Sequence, residues 1–244
     1  MEERDEERGS VLRSRWFVAS AGFLAAVVAG GVWLAAGGGR GAGQRTPAAE
    51  ASAPAAEAPA PPVDAAASVC GLDAGDQAEP SSPLSSRTLD VARGLSVPVV
   101  DGIGPGVTEG VTRCFAHSPT GAVVAAAGFM KWLSSRQRLP EVTETLMAAG
   151  GDRDRMLADV NASWDGATGS AVTVLGYKTE VRGPDEVLVT LAVAQAGDTT
   201  RAASWPLVMV WEDGDWKVKP PSSGKWGEKP VRSLAGDGYV AWTV

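Results

Sequence analysis

His117 is the only histidine in the chain, and Cys114 is one of two cysteines. Both fall in the run Thr112–Trp132, TRCFAHSPTGAVVAAAGFMKW, with Ser118 directly after the histidine. A histidine beside a hydroxyl or thiol suggests nucleophilic or general acid–base chemistry, which also needs a partner to orient the base. The chain order supplies no such partner. Ser118-Pro119 reads instead as a helix start, with serine capping free N–H groups and proline at the first helical position. His117 therefore reads as a structural or surface residue. A lone histidine excludes a His cluster, so no zinc site is expected, and no cofactor or catalytic set is assigned. Gly102–Gly106, GIGPG, lacks the Lys-Ser/Thr ending of a phosphate loop. Asp159 and Asp165 flank a helical stretch where carboxylates could face the mouth of a cone; solvated surface acids are the expectation. Asn161-Ala162-Ser163 matches the N-glycosylation triplet, which chance also produces.

Those residues lie on the exported side of a predicted membrane anchor. Trp16–Ala36, WFVASAGFLAAVVAGGVWLAA, has no charged residue across 21 positions, enough to cross a hydrocarbon core of about 30 Å. Trp16 and Trp33 lie near its ends, and Arg13 and Arg15 precede it, which places residues 1–15 in the cytoplasm. A cleaved signal peptide would have a shorter apolar run and a better small-residue site than Leu34-Ala35-Ala36. Gly37–Ser68 is almost entirely Ala, Pro, Gly and Ser. It reads as a disordered tether of roughly 30 Å root-mean-square span. The remainder, 69–244, is an extracytoplasmic domain carrying 16 basic and 21 acidic residues from Cys70 onward. An acidic domain without a basic run is not expected to bind nucleic acid directly. In an oxidising compartment the even pair Cys70 and Cys114 predicts a disulfide; two free buried thiols are the alternative.

The elements that must position these residues change period along the domain. Gly71–Gly110 is loop-rich, with Ser86–Gly94 a short helix or turn and Pro98–Gly102 a short extended piece. A central helix runs from about Pro119 to Gln137, with Ala122, Ala125, Ala126, Phe129, Met130 and Leu133 on one face. A second helix, Glu141–Ala149, follows Pro140, and a third, about Arg153–Ala162, is capped by Asp152. From Ser170 the period becomes two. Ser170–Arg182 is a strand with a bulge at Gly176, then come Glu186–Gln195, Arg201–Glu212 and, after the hairpin signal Asp213-Gly214, Asp215–Lys219. The tail Pro220–Val244 carries aromatics that tuck onto the sheet or meet a partner. Nine tryptophans against two tyrosines and four phenylalanines make Trp205, Trp211, Trp216, Trp226 and Trp242 the candidate pocket or interface residues, with core packing the default. The fold class expected is α+β: three helices and a curved antiparallel sheet wrapped on the first helix, a cone like that of the nuclear-transport-factor-2-like (cystatin-like) superfamily.

Four segments carry a more specific resemblance: Val69–Leu72 (VCGL), Arg113–Ala122 (RCFAHSPTGA), Trp211–Lys217 (WEDGDWK) and the ending Gly238–Trp242 (GYVAW). They resemble an actinobacterial family of membrane-anchored proteins found with integrative and conjugative elements and plasmids. That family's domain looks like the extracytoplasmic domain of inner-membrane bridge proteins of type IV secretion systems. The resemblance implies a single-pass, non-enzymatic scaffold subunit of a conjugative transfer apparatus. Its partners would be the bilayer, through Trp16–Ala36, other envelope or channel proteins, and further copies of itself. It supplies no catalytic residues and carries over only the cysteine pair. The contrasting expectation is an extracytoplasmic domain that binds a small ligand or acts as an isomerase or hydratase, which needs an open cavity with an acid–base pair. A third is a sensor or cell-wall-associated protein.

Overall fold

The computed structural model describes residues 67–243. The predicted cytoplasmic tail, the membrane segment Trp16–Ala36 and the tether up to residue 66 lie outside the described residues. Among those described, no helix is long and apolar enough to cross a membrane.

The domain is α+β, with three helices and a curled sheet. Its elements in order are β1 (Leu84–Ser85), β2 (Arg87–Ala92), β3 (Leu95–Val99), α1 (Pro119–Ser135), α2 (Leu139–Leu146) and α3 (Gly151–Ser163). Strands β4 (Val172–Gly183), β5 (Glu186–Gln195), β6 (Asp198–Glu212), β7 (Asp215–Lys219), β8 (Lys229–Val231) and β9 (Val240–Thr243) follow. The main sheet has the order β1-β9-β4-β5-β6-β7, and β8 also pairs with β6. Every pairing in it is antiparallel except β1 with β9. That exception corrects the expectation of a wholly antiparallel sheet. β1 and β9 come from opposite ends of the domain, so no hairpin fixes their relative direction.

The strand sequence explains the core. Alternation on β5 sends Val187, Val189 and Leu191 inward, where they pair with Met209, Leu207 and Trp205 of β6. All but the half-buried Trp205 are buried. Asp213 and Gly214 adopt positive φ, 54° and 76°, and close the tight β6–β7 hairpin. At Gly176 the β4–β5 register shifts, as the bulge expectation required. The same glycine lets β9 approach, because a Cβ there would stand 2.6 Å from the Val240 carbonyl oxygen.

Three helix expectations are corrected. α1 is not amphipathic with one buried face: 13 of its 17 residues are buried, while Leu133 of the predicted stripe is only half-buried. The sheet covers one side of α1, and β3 packs on it as well. Ser86–Gly94, read from sequence as a short helix or turn, instead supplies β2 of a β2–β3 hairpin that turns at Arg93-Gly94. The pairing of β2 with β3, whose Val97 and Val99 are buried, outweighs the local preference of 86–94 for a helix or turn. Finally, the α3 N-cap is Gly150 rather than Asp152, which sits in the first turn and pairs with Arg155.

The tail completes the sheet. Trp242 of β9 stacks edge-on against Tyr177 and its Nε1–H donates to Ser86 Oγ at 2.9 Å. Replacing Gly176 with alanine should therefore push β9 away from β4. We expect a loss of about 2 kcal/mol in urea unfolding, with red-shifted tryptophan emission as Trp242 is exposed. An unchanged midpoint would show that β9 does not depend on this approach.

Candidate functional site

The polar groups singled out in the sequence converge at the start of α1. Ser118 is the N-cap: its backbone is extended, and its Oγ accepts the Gly121 N–H at 3.0 Å. A side chain at Gly121 would stand 1.9 Å from the Ala116 carbonyl oxygen, so only glycine lets the chain fold back here. The hydroxyl of Ser118 is thus committed to the helix, as the sequence indicated.

The arch leading into the cap, 112–117, is held by groups far away in the chain. Asp215, at the first position of β7, is 2% exposed. Its carboxylate accepts three backbone N–H groups: Cys114 at 2.7 Å, Phe115 at 3.0 Å and Trp216 at 2.8 Å. Trp216 returns the contact by donating Nε1–H to the Ala116 carbonyl at 3.0 Å. Thr112 Oγ1 accepts from Trp132 Nε1 at 2.9 Å, tying the arch to the buried middle of α1. Cys114 sits at φ 69°, a conformation that non-glycine residues rarely adopt. Its N–H bond to Asp215 and its bridge to Cys70 both hold it there. Burial pushes the Asp215 carboxyl above the ordinary range, outweighing the downward pull of the Cys114 N–H, the Lys217 charge and the Phe115 and Trp216 N–H groups.

The cysteine pair forms the expected disulfide. It joins the start of the described chain to the arch, and Cys114 is fully buried.

His117 is 7% exposed. Its ring stacks on Trp211 with centroids 4.1 Å apart, and Trp216 stands tilted at 5.8 Å. Its Nε2 lies 3.0 Å from both the Pro184 carbonyl oxygen and Asp185 Oδ1, on the β4–β5 turn. The sequence could not identify this carboxylate partner, because it comes from a turn 68 residues later. Asp185 is largely exposed, so solvent screens the pair. The nearest hydroxyl in sequence, Ser118, is occupied as the cap, and both thiols are bonded. The arrangement fixes the histidine and its backbone.

The five candidate tryptophans do not gather into one pocket. Trp211 and Trp216 meet edge to face at 5.4 Å beside His117. Trp205 is half-buried on β6. Trp226 packs against Phe129 at 5.8 Å and leaves its Nε1–H without a hydrogen-bond partner. Trp242 lies at β9. Asp165 is exposed, caps the Ala167 N–H and lies 4.0 Å from Arg136, and Asp159 is half-exposed on α3. Asn161 is exposed on α3.

The sequence reading missed Asp215, Asp185, Trp132 and Thr112. Asp215 had no usable local signal: alternation in β7 turns Trp216 and Val218 inward and would leave Asp215 on the opposite face with Lys217 and Lys219, yet it is buried.

Beside this centre Phe129, Trp132 and Trp216 are buried. Two hollows among the described residues are a cleft of about 240 Å³ beside the α3 start and a gap of about 20 Å³ near Lys131 and Trp242. Among the described residues, no group of three or more His, Cys, Asp or Glu side chains could hold a metal ion.

Residues 49–241 match a family described as a domain of unknown function, DUF8175. No curated protein and no solved structure matches the chain.

Asp215 makes stability depend on pH in an unusual direction for a carboxylate. Its raised folded-state value means the folded protein holds the proton more tightly than the unfolded chain. This group's contribution is therefore greatest below the unfolded carboxyl range and falls as pH rises towards the folded value. The stability difference between wild type and Asp215→Asn should shrink as pH rises above the unfolded carboxyl value of about 4 in urea titrations. A difference that grows with pH would mean that the N–H bonds, not burial, dominate. Asp215→Ala, which strands three buried donors, should cost about 3 kcal/mol at neutral pH by the same measurement.

Proposed function

The chain belongs to the DUF8175 family, and from its own architecture we propose that it is a membrane-anchored, non-enzymatic assembly subunit of a cell-envelope apparatus. The domain would be an extracytoplasmic cone of the nuclear-transport-factor-2-like kind. The apparatus that the sequence resemblance favours is a conjugative, type IV secretion-like transfer channel. Trp16–Ala36 would anchor the chain, with the N-terminus in the cytoplasm. The Ala/Pro-rich tether would let the domain reach other envelope components or further copies of itself.

The observation that carries this reading is the filled interior. Phe129, Trp132 and the small residues of α1 occupy the space between sheet and β2–β3 hairpin. A pocket-binding domain keeps a cavity of some 300–1,000 Å³ open there; here a hollow of about 240 Å³ is a cleft beside α3 instead. The His117, Trp211 and Trp216 rings at the arch likewise pack on one another. Such a domain offers its surface to partners rather than its interior to a substrate. The acidic charge balance supports a protein partner over nucleic acid.

Lysine-directed crosslinking of the full-length protein in its native membranes tests this. The expected outcome is a chain that resists extraction by high salt and forms crosslinked species heavier than the monomer. A chain recovered as an uncrosslinked monomer, or in the soluble fraction, would sink the proposal.

A further inference from the structure

The disulfide is placed differently from one that staples a core. Cys114 is fully buried, whereas Cys70 is exposed and its neighbour Val69 is 64% exposed. The segment 67–71 touches the rest of the domain at few points. Val69 N–H donates to the Gly214 carbonyl at 2.8 Å, and Gln77 Nε2 next fixes the chain by donating to the His117 carbonyl at 2.7 Å. Between them the segment is held by the bridge, by the buried Ser68 hydroxyl on Cys114 Sγ and by packing of Cys70 Sγ and Leu72 against Gly106. On the other side, the arch keeps its own supports. Asp215 holds Cys114 and Phe115, Trp216 holds Ala116, and Ile103 accepts the Ala116 N–H at 2.8 Å. None of these needs the bridge.

The two sulfurs are also chemically unequal. Cys114 Sγ receives two hydrogen bonds: from the hydroxyl of buried Ser68 at 2.8 Å and from the Cys70 N–H at 3.2 Å. Ser68 Oγ is 3.7 Å from Cys70 Sγ. Neither bridged sulfur carries a hydrogen, so the hydroxyl is the donor. Such donors stabilise negative charge on sulfur. The buried Asp215 carboxylate, bound to the Cys114 N–H, is the opposing charge.

We propose that Cys70–Cys114 is a thiol–disulfide exchange site, reduced by an external dithiol at Cys70 and releasing 67–76 while the domain stays folded. A thiolate of the dithiol attacks Cys70 Sγ. The S–S bond breaks, and its electron pair leaves on Cys114 Sγ, where Ser68 and the Cys70 N–H already point. Cys114 takes up a proton. The second thiol of the reductant then attacks its own sulfur in the mixed disulfide and frees Cys70, which is also protonated. The protein gains two electrons and two protons, and the reductant becomes a disulfide. This inference stands on the bridge alone and is independent of the assembly reading.

Full-length protein in detergent, treated with dithiothreitol and then alkylated, supplies the test. Native reduction should run within about tenfold of the rate in concentrated urea, because only a local opening is needed. Near-ultraviolet circular dichroism from buried Trp132 and Trp216 should persist in the reduced protein. Glutathione, a monothiol, should form its first adduct on Cys70. Ser68→Ala should slow native reduction roughly fivefold to tenfold and leave the rate in urea unchanged. The proposal is overturned if native reduction is slower than in urea by about a thousandfold or more, as global unfolding would require. Loss of the dichroism on reduction, a first adduct on Cys114, or a Ser68→Ala rate equal to wild type would each overturn it too.

Discussion

One buried carboxylate organises this domain. Asp215 begins the last strand of the main hairpin and accepts N–H groups from an arch a hundred residues earlier. Backbone donors that enter a core without partners cost more than they return elsewhere. The arch between Thr112 and His117 cannot satisfy its own, since Cys114 turns the chain through a left-handed conformation. Asp215 meets that requirement, and Trp216 beside it accounts for the Ala116 carbonyl. Through these contacts the sheet sets where α1 begins, and Ser118 then caps the helix at that point.

Placing the start of α1 there decides how it is buried. The helix lies between the sheet and the β2–β3 hairpin, so it has almost no solvent face. Small residues at Gly121, Ala122, Ala125 and Ala126 let both layers approach, and Phe129 and Trp132 fill the wider end. The same placement brings His117 between Trp211 and the Pro184-Asp185 turn. A histidine with a carboxylate neighbour is a common catalytic arrangement, yet here each neighbour serves to pack or pin it. The domain therefore invests its polar chemistry in holding the junction of helix, hairpin and disulfide.

The junction is also where the chain enters the domain. The bridge, the Val69 bond to Gly214 and the Ser68 hydroxyl all act within a few residues of Ala67. These contacts bear on the start of α1 and on the β6–β7 hairpin, the two elements that Asp215 joins.

The sequence by itself determined the elements whose signals are local. Period-two alternation gave β5 and β7 with their observed bounds, Asp213-Gly214 gave the hairpin, Ser118-Pro119 gave the helix start, and two cysteines gave the bridge. Each follows from backbone sterics, capping or chain chemistry within a few residues. Only the tertiary structure decided what depends on distant partners. Ser86–Gly94 became a strand and turn because β3, whose Val97 and Val99 are buried, was there to pair with it. β1 and β9 paired in parallel although no local turn relates them. Asp215 and Asp185 found their roles only when turns and strands brought them to the arch. A carboxylate next to a turn looks solvated in sequence. Its burial depends on unpaired donors across the core, and no local pattern encodes where those donors will be.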